Sequence, residues 1–112
     1  MKTIFEQIIA HELPAKRVYE DAHCVAIEDI APAAPVHILV IPKRRIDRLA
    51  MAHSDDTGLL GHLLYVAQKV AQQMGLVKGF RVVINSGPDG AETVPHLHLH
   101  VLGGRQLQWP PG

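Results

Sequence analysis

The sequence predicts an α+β domain: a mainly antiparallel sheet with one short N-terminal helix and one long helix, in the order αβββαββ. Three observations lead there. Short runs rich in β-branched and aliphatic residues are separated by clusters of Pro, Gly and Asp, the punctuation of strands and turns. One longer segment repeats its apolar residues at helical spacing instead. Three strands also follow one another before the long helix, an order that suits antiparallel pairing.

The first helix is expected over about residues 4–11. Thr3 with Glu6 three positions later is a capping-box pattern, Phe5, Ile8 and Ile9 share a face, and Pro14 forbids continuation. Extended runs at about 16–20 and 23–29, with Asp21 and Ala22 between them, read as a hairpin. The prolines of IAPAAP interrupt the chain before VHILVIPK, whose β-branched residues predict a strand over 36–41.

Ser54, followed by Asp55 and Asp56, is a helix start. Leu59, Leu60, Leu63, Ala67, Val70, Ala71 and Met74 then recur at helical spacing up to Gly75. Leu64 and Val66 widen this apolar arc beyond a single stripe, which fits a second packing partner for the helix or, equally, a thick core. FRVVIN predicts a strand at 80–85, NSGPDGAE a glycine-rich loop, and HLHLHVL the last strand. The tail GGRQLQWPPG is read as a docked, irregular segment around Trp109.

A chain of 112 residues fits one domain, 1–112. Apolar residues at 47% and charged residues at 20% are those of a soluble globular protein, and no run of roughly 18 apolar residues offers a membrane span. Eleven basic against eleven acidic residues leave no overall field for nucleic acid, so any anion site must be local. Cys24 is the only cysteine, and Glu6 interrupts what would be a leader's apolar stretch; both point to the cytoplasm.

Function concentrates in VPHLHLHVLGGR, residues 94–105, which holds three of the eight histidines. In a strand, His96, His98 and His100 line one face while Leu97, Leu99 and Val101 line the other. A metal could take two neighbouring imidazoles, but not all three. His96 and His100 would stand about 13 Å apart along a strand, so further ligands would have to come from His37 or a carboxylate. The other reading is covalent catalysis without metal or cofactor, with His98 as nucleophile. Neutral imidazole attacks without prior deprotonation if an acceptor, such as a backbone carbonyl, holds the proton on its other nitrogen. The adjacent loop, with Gly87, Pro88, Asp89, Gly90 and Thr93, brings backbone N–H groups close enough to suit a phosphate.

PHLHLHVLGGR, DIAPAAPVHILVIPK and FRVVINSGPDG together resemble the histidine triad (HIT) family over nearly the whole chain. The tail GGRQLQWPPG is similar to its Hint branch. The resemblance implies a homodimeric nucleoside phosphoramidase that cleaves the P–N bond of AMP-type substrates through a nucleotidyl-histidine. Carried over by position, it makes His98 the nucleophile, puts His100 beside the phosphate and gives His96 and His37 supporting roles in hydrogen bonding and proton transfer. Asp29 would hold the ribose, with Ile30 and Ile27 against the base, and Asn85, Ala91, Glu92 and Thr93 would meet the phosphate and leaving group. The chain departs from the branch at Ala91-Glu92-Thr93, where Gly-Gln-Ser is common, and at Pro95, where an aromatic residue is frequent. Dinucleoside polyphosphate hydrolysis, or nucleotide binding by an interaction protein, are the alternatives.

Overall fold

The computed structural model describes residues 1–112. Helix α1 spans Ile4–Ile9, β1 Arg17–Glu20, β2 Cys24–Glu28, β3 Val36–Pro42, α2 Thr57–Gln73, β4 Phe80–Val83 and β5 Leu99–Gly103. The five strands form one antiparallel sheet in the order β1-β2-β3-β5-β4. The predicted class and element order hold.

Both faces of the sheet are covered, which explains why β2 and β3 are almost continuously buried. Cys24, Ala26, Ile38, Val40, Leu97, Leu99 and Val101 point toward α2 and meet Leu63, Val66, Ala67, Val70 and Ala71. The alternate residues Val25, Ile27, Leu39 and Ile41 point the other way, against Phe5 and Ile8 of α1. Burying each of those two α1 side chains contributes about 1.5–3 kcal/mol, an upper bound for a chain with residual collapse when unfolded. The face carrying His96, His98 and His100 is therefore the α1 face.

Several boundaries differ from expectation for local reasons. Helix α1 stops at Ile9, because His11 adopts a left-handed φ of 61°. A 3₁₀ turn over Ser54–Asp56 precedes α2, where the Asp56 carboxylate, paired with Arg44, accepts the His53 N–H at 2.8 Å. Helix α2 ends as Gly75 predicts: at φ 74° it lets the Leu76 N–H reach the Ala71 carbonyl at 3.0 Å. Strand β4 stops at Val83, and β5 begins only at Leu99, so His96 and His98 lie in irregular chain leading into the strand. Trp109 is 80% exposed, so the tail is not docked through its indole.

Helix α2 needs most of its apolar arc for its own core. Leu63, Val66 and Val70 are buried, Leu59 and Leu60 pack against the same cluster, and the residues left outside are Leu64 and Tyr65. No helix is long and apolar enough to cross a membrane.

Candidate active site

A cavity of about 370 Å³ opens on the α1 face, with His98, His100, Asp29, Ile27, Ile30 and Thr93 in its wall. The wall is mostly apolar, and α1 and the segment after it contribute Ile4, Phe5, Ile8 and Leu13. His96, His37, Asn85, Ala91 and Glu92 stand behind the wall and act on it indirectly.

His98 is buried, and its Nδ1 lies 2.7 Å from the carbonyl oxygen of His96. A carbonyl only accepts, so Nδ1 carries the proton and Nε2 carries the lone pair. Nε2 has no protein partner, and no buried side-chain nitrogen or oxygen in the molecule lacks one, so Nε2 is open to the cavity. Burial pushes the His98 pKa below its ordinary value, which keeps the ring neutral at pH 7. Phe5 packs edge-on to the ring at 4.8 Å between centroids and holds its plane.

His96 is wholly buried, and both of its ring nitrogens are engaged away from the cavity. Nε2–H donates to the Pro42 carbonyl at 2.9 Å, so Nδ1 accepts from the Thr3 hydroxyl at 3.1 Å. That hydroxyl also accepts the Glu6 N–H at 3.1 Å, as the capping box of α1 requires. His96 reaches His98 through its carbonyl oxygen, while its ring ties β3 to the helix that walls the cavity.

His100 pairs with Leu39 across β3 and β5, and His37 is the diagonal neighbour on the same face. The Ala33 N–H donates to His37 Nδ1 at 3.0 Å, which places the proton of the neutral ring on Nε2. Nε2–H then donates to His100 Nδ1 at 2.9 Å, and His100 carries its own proton on Nε2. Burial, with His98 and His37 adding to it, lowers the His100 pKa to about 4. Asp29 Oδ2 lies 3.5 Å from His37 Nε2, while Asp29 Oδ1 accepts the Ala31 N–H at 2.8 Å. The result is a lone pair on His98 Nε2 and an N–H on His100 Nε2 in one wall.

The loop before the histidines is braced by its own side chains. Asn85 donates its amide to the Gly90 carbonyl at 2.6 Å, and Ala91 sits in the left-handed region at φ 61°. Glu92, the departure that placed a carboxylate near a phosphate, is met by Arg48 in a two-pronged pair at 2.7 and 3.0 Å. It also accepts the Gly87 N–H at 3.0 Å, and these partners hold its pKa at about 2. Its charge is spent within the loop. The N–H groups of Thr93 and Val94, beside the cavity, donate to no acceptor in the chain.

Asp29, His37 and His100 bring three possible metal-ligand atoms within 4.8 Å. They do not fit an ion as they stand, because the Ala33 N–H on His37 Nδ1 fixes the His37 proton on Nε2, which donates it to His100 Nδ1. An ion there would have to break both bonds.

Sequence reasoning missed Thr3, Arg48 and the apolar wall from α1. The Thr3 capping box and the α1 apolar face were visible, but not what they would pack against. Arg48 carries no signal, because its partner is 44 residues away.

A sheet with one helix on each face, and a His-x-His-x-His run that sets two of its imidazoles in the wall of a cavity, defines a histidine triad protein. Residues 10–107 match the HIT domain, and the chain belongs to the HIT family. An uncharacterized HIT-like protein of Synechococcus elongatus is 57% identical, over 98% of this chain and 96% of that protein. A "14 kDa zinc-binding protein" of Zea mays is 54% identical, over 98% and 88%. The crystal structure of a HIT family hydrolase from Legionella pneumophila superposes with a TM-score of 0.96 at 45% identity, covering 99% of this chain and all of that one.

Proposed function

We propose that the chain hydrolyses the P–N bond of nucleoside 5′-phosphoramidates of AMP type through a nucleotidyl-histidine at His98. The observation that carries this reading is the 2.7 Å hydrogen bond from His98 Nδ1 to the His96 carbonyl, which directs the Nε2 lone pair into the cavity. Ile27, Ile30 and Phe5 offer apolar contact to a base, and the Asp29 carboxylate suits ribose hydroxyls. The His100 Nε2–H and the N–H groups of Thr93 and Val94 offer donors for phosphate oxygens.

In the first step Nε2 attacks the α-phosphorus, the N–P bond to His98 forms, and the bond to the amine breaks. The departing amine takes up a proton, for which the Thr93 hydroxyl and the imidazoles are the nearby relays. Water then attacks phosphorus, the histidine–phosphorus bond breaks, and the water proton restores the relay. Glu92 takes no part, because Arg48 and Gly87 occupy its carboxylate.

The name of the maize relative motivates a zinc-dependent alternative. It would have to displace the proton that the Ala33 N–H fixes on His37 Nε2, so the reaction at His98 is written with no metal or other cofactor. Activity is accordingly expected to survive exhaustive chelation. The cytoplasmic setting suggested by a single unpaired cysteine belongs to the same proposal.

The test compares an adenosine phosphoramidate with an alkyl ester of AMP and a dinucleoside polyphosphate, for the parent chain and His98→Asn. The phosphoramidate is expected to be cleaved fastest. His98→Asn is expected to bind AMP but not turn over. Comparable rates on the ester would remove the case for a phosphoramidase, and faster cleavage of the polyphosphate would make the chain a dinucleoside polyphosphate hydrolase.

A further inference from the structure

A second group of ligand-type side chains lies on the α2 face of the sheet, away from the His98 cavity. Asp21 follows β1, Cys24 begins β2 and His62 lies on α2. Together they bring a carboxylate oxygen, a sulfur and a ring nitrogen within 4.8 Å of one another. We propose that Asp21, Cys24 and His62 bind a zinc-type divalent transition-metal ion.

The carboxylate is already oriented for it. Asp21 Oδ1 accepts the N–H groups of His23 and Cys24 at 2.7 and 2.9 Å, so the hairpin turn fixes one oxygen. Oδ2 is left facing α2, where it accepts His62 Nε2–H at 2.7 Å and the Tyr19 hydroxyl at 2.9 Å. The Tyr19 bond is the kind of outer support that holds a metal ligand in place, while the Asp21–His62 bond is the one an ion replaces. Zinc with oxygen and nitrogen at about 2.0–2.1 Å and sulfur at about 2.3 Å sets its ligand atoms roughly 3.3–3.6 Å apart. The Asp21–His62 contact therefore opens by about 0.6 Å and the thiol closes in by up to about 1.2 Å, both within the reach of side-chain torsions.

Charge and chemical softness agree. A carboxylate, a thiolate and a neutral imidazole balance a divalent ion, and a thiolate selects zinc or cobalt over magnesium or calcium. On binding, the Cys24 proton is released to solvent, and the proton on His62 Nε2 passes through solvent to Nδ1, which frees the Nε2 lone pair for the metal. Asp21 and His62 are partly exposed, with 24% and 32% of their side chains open, whereas Cys24 is fully buried. An ion thus enters from the turn and meets sulfur last. His23, edge-on to His62 at 5.6 Å between ring centroids, stands beside the fourth position.

The experiment is a cobalt titration of the metal-stripped chain, read by the near-ultraviolet thiolate-to-cobalt charge-transfer band. Cys24 is the only thiol, so the band has one possible source. One equivalent of cobalt is expected to produce it, zinc to abolish it, and Cys24→Ser to lack it. His62→Gln, partly exposed and safe for folding, is expected to weaken binding tenfold or more. His100→Asn is expected to leave the titration unchanged, which separates this site from the Asp29–His37–His100 group. Saturation with cobalt without the band, or an unaltered titration in His62→Gln, would overturn the proposal whatever the reaction at His98.

Discussion

Thr3→Val tests the coupling between α1 and the histidines, because it removes one oxygen and keeps the shape of the side chain. That oxygen serves two partners: it accepts the Glu6 N–H and donates to His96 Nδ1, each at 3.1 Å. Losing the cap alone costs about 1 kcal/mol. Losing the second bond leaves an imidazole nitrogen unsatisfied in a ring with no exposed surface, a further cost of about 1–3 kcal/mol. The sum, about 2–4 kcal/mol, corresponds to a fall in Tm on the order of 8–16 °C for a chain of this length. Urea unfolding at pH 7 measures it, and Thr3→Ser, which keeps the hydroxyl, should recover all but about 1 kcal/mol. A Thr3→Val loss no larger than about 1 kcal/mol would show that the hydroxyl is only a helix cap and that His96 does not depend on it.

Three further outcomes follow from the same geometry. Burial lowers the pKa of His96 and His98, and that of His100 to about 4, against about 6.5 in the unfolded chain. Below that unfolded value the unfolded chain therefore binds more protons, and stability, complete above about pH 7, falls as the pH drops toward 4. His100 alone accounts for about 1 kcal/mol at pH 5 after halving for water that reaches its ring; unfolding curves of the parent and His100→Asn at pH 7 and 5 should differ by that loss, and parallel losses would refute it. Ala91→Gly relieves a left-handed φ of 61° and should stabilise by about 0.5–1 kcal/mol in thermal unfolding, whereas a destabilised variant would show that Ala91 is not strained. A homodimer is expected, now resting on exposed Leu64 and Tyr65 and the unpaired outer edge of β4, and light scattering at micromolar concentration should give twice 12.3 kDa; a monomeric mass would end that expectation.

What the sequence made legible follows the range of the interactions involved. The Thr3–Glu6 box, the α2 periodicity and Gly75 are local patterns, and each landed where the pattern put it. The His-x-His-x-His spacing correctly placed three imidazoles on one side. It did not show that this side is also buried, because the covering residues, Phe5 and Ile8, are about 90 positions away in the chain. The tautomers were equally hidden. They are set by the carbonyls of His96 and Pro42 and the N–H of Ala33, groups that every sequence possesses and none advertises. The charge of Glu92 beside a phosphate site is plain in the sequence, but the Arg48 that neutralises it is not, because it lies 44 residues away.

The central claim is that His98 Nε2 becomes covalently bonded to phosphorus. Its most direct test is rapid acid-free quench of excess enzyme mixed with an adenosine phosphoramidate, followed by intact-protein mass spectrometry and peptide mapping. The account predicts one adenylyl group per chain at early times, mapped to His98, absent from His98→Asn and decaying as AMP appears. Release of AMP with no protein adduct at any time, or an adduct on another residue, would contradict it.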